Sequence, residues 1–318
     1  MDVDGGLTGP ALFTLGEALA VFISDDTPSL QTASRYRRTV AGSETNVAVA
    51  LTRLGLRTRL LTIVGSDGLG DAVESDLRKW GVDAVIGRSQ RSTGVLVREP
   101  AAGLTRARAV NLRSASAATE LSPDWVDAAW QPDPQTVFVT GITAVRSESA
   151  RAAVEHAVTR GRETGALIVV DPNFRPHLAP TDAFTDALAG LRGRMDVAIG
   201  DLDELALLTG QDRSLAVRVL LDEGCRWVIV KRGPEGAVGY DGQTEIAVPS
   251  RAADVLDTVG AGDAFAAGVV AGLVKGDTLS ESLERGATLA ARVVATVGDI
   301  EGLPTSEDLA TGAQVPHE

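Results

Sequence analysis

Strand-like and helix-like runs alternate along most of this chain, and no other feature of the sequence limits its fold as strongly. A helical pattern at residues 46–54 ends at Gly55, an apolar run follows at 59–64, and a second helical pattern covers 69–80. The alternation continues through residues 137–231, and two long helical stretches come after it. Alternating strands and helices predict the α/β class, with a doubly wound, mostly parallel sheet.

Two regions, residues 13–38 and 93–112, break this alternation. They hold short β-type pieces with no long helix between them. We expect these pieces to pair into a small separate sheet, which would form a lid or an oligomer interface. Because no stretch rich in proline, glycine or serine divides the sequence, we predict one domain over residues 1–318 that carries this small sheet.

The composition excludes several classes of function. A formal net charge of −13, without a cluster of basic residues, argues against nucleic acid as a partner. The single cysteine, Cys225, and three histidines leave no disulfide framework, Cys-rich zinc site or iron–sulfur cluster. No apolar run reaches the about 20 residues that cross a bilayer. The acidic N-terminus also lacks the basic start of a secretory signal, so we expect no membrane partner and a cytoplasmic location.

The stretch from Asp257 to Gly268, DTVGAGDAFAAG, carries the most chemical information. Gly260, Ala261 and Gly262 form a turn that opens directly into an apolar helix of small residues. Free backbone N–H groups at a helix start attract anions, and small side chains let a phosphate approach them. Asp263 places a carboxylate beside that anion site. This arrangement indicates phosphoryl transfer, with the carboxylate accepting a proton from an attacking hydroxyl.

Other interpretations of this stretch are weaker or remain open. A dinucleotide-binding fingerprint fits poorly, because Phe265 stands where its third glycine would be. The chain also lacks the GxxxxGK[ST] loop of ordinary P-loop enzymes. The alternative for Asp263 itself is that its carboxylate only satisfies the helix start, where aspartate is a favoured residue.

A second cluster, residues 41–46, enters the first predicted helix. Gly42 permits a tight turn, and Ser43 and Asn46 offer neutral hydrogen-bonding groups that suit sugar hydroxyls. The alternative is an ordinary helix start, capped by Ser43 or Thr45, with an acidic residue in its first turn.

Together the two clusters resemble the signatures of the ribokinase-like, or PfkB, carbohydrate kinases. Residues 257–268 look like the C-terminal signature of that family. Residues 41–55 with 64–70, VGSDGLG, are similar to its N-terminal signature. Residues 230–237, VKRGPEGA, resemble its nucleotide-side VKxGxxG element. The resemblance extends over nearly the whole chain, from Gly16 to about Pro304.

The resemblance implies a ribokinase-like three-layer α/β/α core with a small β lid over a sugar. It implies ATP as the phosphoryl donor and Mg²⁺ as its counter-charge, with a monovalent cation as a further candidate ion. By position match, Asp263 is the base, and Gly260, Ala261 and Gly262 supply N–H groups to the transferred phosphoryl group. Family members often pair through their lids, so the resemblance also implies a homodimer.

The resemblance assigns a second group of residues to the nucleotide side: Lys231, Gly233, Gly236, Thr258 and Asp201. The family often carries an Asn-x-x-Glu motif that organises Mg²⁺ and phosphate through water. In this chain Asp201 replaces the asparagine, while Glu204 is retained as the residue expected to act on the metal through water. The alternative for Asp201 is a helix N-cap, and the alternative for Lys231 is a surface charge at the end of a strand.

Four stretches are similar to the branch of the family that phosphorylates 2-keto-3-deoxygluconate: residues 42–46, 111–123, 171–176 and 298–304. In the second stretch, Asn111 and Leu112 stand where the branch has two tyrosines. This branch implies a sugar acid as the small-molecule substrate, giving the 6-phosphate.

The carboxylate of a sugar acid needs a positively charged partner. Arg175 follows the predicted strand at 166–170, and Arg113 lies beside the predicted small sheet, so both could pair with it. Asn173 would add a hydroxyl contact. For each arginine the alternative is a structural ion pair. For the whole protein the alternatives are a fructokinase or another neutral-ketose kinase, and a non-catalytic sugar or nucleotide sensor.

Overall fold

The computed structural model of the protein describes residues 9–27, 29–100 and 108–311. Thirteen strands lie within these ranges, numbered in chain order. Their bounds are β1 (Leu12–Leu15), β2 (Leu19–Ser24), β3 (Tyr36–Ala41), β4 (Thr58–Gly65), β5 (Asp83–Ser89), β6 (Val95–Arg98), β7 (Ala109–Leu112), β8 (Thr136–Thr140), β9 (Leu167–Asp171), β10 (Val197–Gly200), β11 (Trp227–Lys231), β12 (Ala237–Tyr240) and β13 (Glu245–Val248).

The α-helices of the same ranges fill most of the connections between strands. Their bounds are α1 (Ser43–Arg53), α2 (Gly68–Lys79), α3 (Pro123–Ala129), α4 (Gly141–Ala144), α5 (Glu148–Thr164), α6 (Thr181–Leu188), α7 (Leu202–Thr209), α8 (Arg213–Asp222), α9 (Ala261–Lys275), α10 (Leu279–Val294) and α11 (Ser306–Thr311). Short 3₁₀ turns lie at Ala117–Glu120, Ala189–Leu191 and Gly233–Glu235. Within the three described ranges, no helix is long and apolar enough to span a membrane.

Nine strands form the central sheet, in the order β13-β12-β11-β10-β9-β8-β1-β4-β5. The neighbouring strands from β5 to β11 are all parallel, and only β12 and β13 pair antiparallel. From β1 the sheet grows first in one direction, through β4 and β5, and then in the opposite direction, from β8 to β13. Such a reversal opens a crevice at the carboxyl ends of the strands, where ligands bind in open α/β sheets.

Helices cover both faces of this sheet. Along β4, Leu60 and Val64 enter one buried apolar cluster, whereas Leu61 and Ile63 enter another, as strand alternation requires. The first cluster includes side chains of α1, α2, α9 and α10, and the second includes side chains of α3 and α5–α8. The predicted three-layer α/β/α class with a mostly parallel sheet is confirmed.

The other four strands form a small sheet in the order β3-β2-β6-β7. The strands of this sheet differ from the two regions predicted to form it, residues 13–38 and 93–112. Leu12–Leu15 belongs to the central sheet, because this short apolar run is buried between β4 and β8. The small sheet also extends beyond residue 38, because β3 ends at Ala41. Residues 28 and 101–107 of the two predicted regions, and both ends of the predicted domain, lie outside the described residues. The single domain and the closure of this sheet over a sugar stay predictions.

Candidate active site

A glycine turn exposes the first turn of α9 at the carboxyl edge of the central sheet. Gly260 precedes the helix with a φ of 81°, and a Cβ there would lie 2.4 Å from the backbone oxygen of Asp299. At Gly262 the nearest atom to an added Cβ would be Lys231 Nζ, 3.9 Å away. The Ala261 N–H makes only a long bond of 3.4 Å to the Thr258 oxygen. The helix start is therefore open to an anion.

Asp263 lies in that first turn, and three side chains from other elements hold its carboxylate. Ser43 Oγ donates to Oδ1 at 2.7 Å and Asn46 Nδ2 donates to Oδ2 at 2.8 Å. Asn173 Nδ2 adds a contact of 3.2 Å to Oδ1. The residue that caps α9 is Gly260, which makes no side-chain capping bond. The carboxylate thus has partners outside its own helix, unlike the alternative in which it only satisfies the helix start.

The start of α1 is built to present Ser43 and Asn46 to this carboxylate. The N-cap is Gly42, with a φ of 143° and no side-chain capping bond, and a Cβ there would lie 2.2 Å from the backbone oxygen of Glu17. Two residues three positions apart share a helix face, so both side chains point the same way. The alternative that Ser43 or Thr45 caps the helix is wrong. Thr45 Oγ1 has no hydrogen-bond partner among the described residues.

The side-chain amide nitrogen of Asn173 donates to groups of the protein, and its contact with a sugar hydroxyl stays a prediction. Asn173 lies directly beyond β9 with a φ of 45°, a conformation that asparagine tolerates better than most residues. Its backbone N–H donates to Asp171 Oδ1 at 2.9 Å, and its amide donates to Ser43 Oγ at 2.7 Å. It is almost fully buried, at 3% exposure. Its position orients the Asp263 carboxylate.

A lysine joins two carboxylates beside the start of α9. Lys231 Nζ lies 2.9 Å from Asp171 Oδ2 and 3.3 Å from Glu204 Oε2. Burial opposes the charged ammonium, but the two carboxylates outweigh burial and raise the pKa of Lys231. Burial also raises the pKa of Asp171 to about 7, against the effect of the lysine. The alternative that Lys231 is a surface charge is wrong.

Asp201 and Glu204 form a capping box at the start of α7. Asp201 Oδ1 accepts from the Glu204 N–H, and Glu204 Oε2 accepts from the Asp201 N–H, both at 2.8 Å. Glu204 Oε1 also accepts from the Phe174 N–H at 3.0 Å. Burial would raise the pKa of Glu204, but Lys231 and the Asp201 amide outweigh burial and lower it. The N-cap alternative for Asp201 matches the geometry.

The glycines of the predicted nucleotide-side element shape the turn between β11 and β12. Gly233 and Gly236 have φ values of 55° and 91°. A Cβ on Gly236 would lie 2.0 Å from the backbone oxygen of Val248, so this turn requires glycine. Thr258 is half-buried in the turn before α9. The structure brings this turn, Lys231 and the start of α9 to one edge of the sheet.

The two predicted carboxylate-binding arginines differ in their partners. Arg113 Nη2 lies 2.6 Å from Glu17 Oε2, so its guanidinium already has an internal carboxylate. Arg175 is exposed, and its Nη1 donates only to the Phe174 oxygen, at 3.2 Å. Partial burial and the charges of Arg175 and Arg113 lower the pKa of His177. The structural ion-pair alternative therefore matches Arg113, whereas Arg175 is available to a ligand.

Sequence reasoning missed three buried carboxylates around this site, those of Glu17, Glu44 and Asp171. Glu44 Oε1 accepts from Thr140 Oγ1 and Thr143 Oγ1, both at 2.6 Å, and burial raises its pKa. All three residues lie within or beside stretches that carry the family resemblance. Their partners are distant in sequence, so only the fold identifies them.

Comparison with known proteins agrees with this geometry. The pfkB family of carbohydrate kinases matches residues 11–306. This chain belongs to that family. It is 33% identical over 308 residues to a 2-dehydro-3-deoxygluconokinase of Bacillus subtilis, covering 94% of each chain. It is 29% identical to a 2-dehydro-3-deoxygalactonokinase of Haloferax volcanii, covering 91% of this chain and 92% of that one. The predicted resemblance is confirmed.

Solved structures give the same result for the fold. A PfkB protein from Polaromonas aligns with a TM-score of 0.83 and 29% identity, covering 95% of this chain and 99% of that one. An E. coli protein assigned as ribokinase II, in complex with ATP and Mg²⁺, aligns with a TM-score of 0.86 and 26% identity, covering 95% and 98%. As a member of this family, the protein is an ATP-dependent kinase that acts on a small-molecule sugar. The sensor alternative is not favoured.

Proposed function

We propose that this pfkB kinase transfers the terminal phosphoryl group of ATP to the 6-hydroxyl of 2-keto-3-deoxygluconate or a closely related sugar acid. The observation that carries the proposal is the Asp263 carboxylate, held by Ser43 and Asn46 in the open first turn of α9. The exposed guanidinium of Arg175 and the names of the relatives support an acidic sugar as the acceptor.

In this proposal Asp263 is the general base. It takes the proton of the sugar hydroxyl as that oxygen forms a bond to the γ-phosphorus, while the bond from the γ-phosphorus to the bridging oxygen breaks and ADP leaves. The turn of Gly260, Ala261 and Gly262 stabilises the charge on the transferred group through backbone N–H groups and the helix dipole. Asn173, Ser43 and Asn46 hold the Asp263 carboxylate in the orientation that the acceptor hydroxyl requires.

On the nucleotide side, the proposal has Lys231 contact the phosphates, with the glycine turn at Gly233 and Gly236 next to it in the chain. Magnesium keeps several waters and takes one or two carboxylates plus phosphate oxygens. The carboxylates of Glu204 and Asp201 fit that pattern. Among the described residues no three or more Asp, Glu, His or Cys side chains gather as a metal site. Both carboxylate oxygens of Glu204 already accept from backbone N–H groups, so Mg²⁺ would contact Glu204 through water and would neutralise phosphate charge.

The proposal is tested by measuring ADP release with 2-keto-3-deoxygluconate, 2-keto-3-deoxygalactonate, 5-dehydro-2-deoxygluconate, fructose and ribose. We expect the highest kcat/KM with a 2-keto-3-deoxy sugar acid. Asp263→Asn should lower kcat by about 10²- to 10⁴-fold while the protein stays folded, the range for loss of a general base. Undiminished turnover by folded Asp263→Asn would remove the mechanism, and a preference for fructose would remove the acidic substrate.

A substitution of Arg175 tests whether this residue recognises the carboxylate of an acidic acceptor. Arg175→Ala should raise the KM for the sugar acid by about 10- to 100-fold, because a charge-assisted hydrogen bond contributes about 1.5–3 kcal/mol. The KM for fructose, which has no carboxylate, should stay within about twofold if no charge-assisted bond is lost. Arg213→Ala is the matched control, since Arg213 is an exposed arginine on α8 that pairs with Asp203. An equal loss for both acceptors contradicts carboxylate recognition by Arg175.

We also propose that the enzyme acts in the cytoplasm as a homodimer joined through the small sheet. Val110 and Leu112 are 48% and 61% exposed on β7, an outer strand of that sheet. Such apolar surface at a sheet edge suits a second copy of the same chain. A monovalent cation is a further proposal. It is tested by comparing activity in potassium and tetramethylammonium salts at equal ionic strength.

A further inference from the structure

A buried arginine connects the small sheet to the turn in front of α9. Arg98 is the last residue of β6, and it is 1% exposed. Its Nη1 donates to Asp257 Oδ2 at 2.7 Å, and its Nη2 donates to Asp299 Oδ1 at 3.0 Å. The two carboxylates are also buried, at 0% and 6% exposure. The sequence motifs that indicate the kinase do not include Arg98.

Both carboxylates belong to the structure that shapes the anion-binding turn. Asp257 Oδ1 accepts from the Val259 N–H at 3.0 Å, and its Oδ2 also accepts from the Gly298 N–H at 3.2 Å. The backbone of Asp299 packs directly against Gly260, so closely that no Cβ fits between them. Movement of either aspartate would therefore move the N–H groups that precede and begin α9.

The geometry of the guanidinium makes arginine more suitable at this position than lysine. Its two terminal nitrogens each donate to a different carboxylate, so the rigid planar fork sets the separation of the two carboxylates, whereas an ammonium donates to both from a single atom on a flexible stem. Because all three groups are buried, their interactions are weakly screened by solvent. Arg98 thereby fixes the distance between the segment before α9 and the segment after α10.

We propose that Arg98 is a positioning residue for phosphoryl transfer. It holds Asp257 and Asp299, and through them it sets the Gly260 turn at the correct place relative to Asp263. Because Arg98 belongs to β6, the small sheet and the anion-binding turn are assembled as one unit. This inference rests on the proposed role of the turn and of Asp263.

The primary test is Arg98→Lys, which keeps the charge but removes the two-pronged geometry. We expect kcat to fall about 10- to 100-fold, the size of effect that a misplacement of about 1 Å produces. The KM for the sugar should stay within about threefold, since loss of a group that acts only on the transition state leaves ground-state binding unchanged. Amide hydrogen exchange over residues 256–265 should become faster, whereas exchange in the strands of the central sheet should not.

Chemical rescue and a matched arginine distinguish positioning from a general loss of structure. Arg98→Ala should recover kcat when guanidinium is added at about 10–50 mM, far below denaturing concentrations, and methylammonium should not replace it. The control is Arg38→Met, because Arg38 also anchors the small sheet to the core, through Asp76 on α2. That variant should keep its kcat.

Three results would overturn the inference: wild-type kcat in folded Arg98→Lys, an equal loss of kcat in Arg38→Met, or rescue of Arg98→Ala by methylammonium as well as by guanidinium. If Arg98→Ala does not fold, Arg98→Lys alone decides through its kcat, its KM and its exchange pattern. Failure of the proposed function gives a different result from failure of this inference. It appears as undiminished turnover in Asp263→Asn and does not depend on the Arg98 variants.

Discussion

Lys231 is the residue that makes the charge arrangement of this site stable. Two buried carboxylates, Asp171 and Glu204, lie at the same sheet edge, and both contact the Lys231 ammonium. A buried charge without a partner costs several kcal/mol, whereas a shared cation offsets much of that cost. The lysine therefore lowers the cost of burying these carboxylates at the sheet edge where the proposed function places the phosphates.

Asp299 provides a pH-dependent test of the second buried ion cluster. Burial raises its pKa from 3.8 to about 6, with the charge of Arg98 opposing the rise. Between these pH values the folded protein holds a proton that the unfolded chain has released. Its stabilising contribution is therefore complete below about pH 4 and is lost as the pH rises through about 6.

Asp299→Asn removes this titration. From pH 4 to pH 7, the free energy of unfolding of the wild type should fall by roughly 2 kcal/mol relative to that of the variant, since each pKa unit corresponds to about 1.4 kcal/mol and pH 4 is already close to the unfolded pKa. Urea unfolding at several pH values measures the difference. Asp222→Asn is the control, because Asp222 is an exposed surface partner of Arg218. If the difference between wild type and Asp299→Asn does not change with pH, titration of the buried Asp299 carboxyl is not its cause.

At the scale of single elements, the start of α7 combines a stabilising cap with a place in the site. Asp201→Ala should cost about 1 kcal/mol of stability, the usual value for loss of an N-cap side chain. It should also raise the KM for MgATP several-fold, because the cap orients Glu204 beside Lys231. Thermal unfolding and initial-rate kinetics measure the two effects.

Asp212→Ala is the matched control for that prediction. Asp212 also caps a helix, α8, by accepting from the Ser214 N–H at 2.9 Å, and it is exposed like Asp201, but its side-chain partner is Ser214 rather than a residue of the site. It should lose a similar amount of stability with no change in the KM for MgATP. If both variants change the KM equally, Asp201 contributes to the fold alone.

Most elements of the core could be predicted, because apolar periodicity and closing glycines are local signals. The helix predicted at 46–54 is α1, although it begins at Ser43 because Gly42 turns the chain there. The short strands were harder. Leu12–Leu15 looks like part of the small sheet until its burial between two parallel neighbours is known, and β3 carries polar residues that hide its strand pattern.

The site was predictable only where its residues are neighbours in sequence. Asp263 and the turn before it form one motif, and Ser43 and Asn46 form another. Partners that the fold brings together from distant segments carry no such signal. Arg113 was expected to bind a substrate carboxylate, yet Glu17, which is 96 positions away, takes its guanidinium. Arg98 and Asp257 are 159 positions apart and belong to no shared motif.

For the whole molecule, the reversal of strand order at β1 places all these groups at one edge. Parallel strands end on the same side, so Gly16, Asp171, Asp201 and Lys231 follow or complete four strands whose carboxyl ends line one crevice. The small sheet, which includes Arg98, is tied to this crevice through Asp257 and Asp299. The two sheets are thus joined at the place where phosphoryl transfer is proposed.

The outer strand of the small sheet carries the prediction for assembly. Leu112 is 61% exposed on β7, so a charge placed there costs little in the monomer but would be buried between two copies. We expect the wild type to run as a dimer in size-exclusion chromatography with light scattering at micromolar concentration. Leu112→Asp should run as a monomer, because one substitution acts on both sides of a two-fold interface.

Leu215→Asp separates this effect from a general change in surface charge. Leu215 is 47% exposed, but it lies on α8, which packs against the central sheet rather than the small one. That variant should remain a dimer with the wild-type mass. A monomeric wild type would remove the proposed assembly altogether. A dimer that survives in Leu112→Asp but dissociates in Leu215→Asp would place the interface on the helical layer around α8, away from the small sheet.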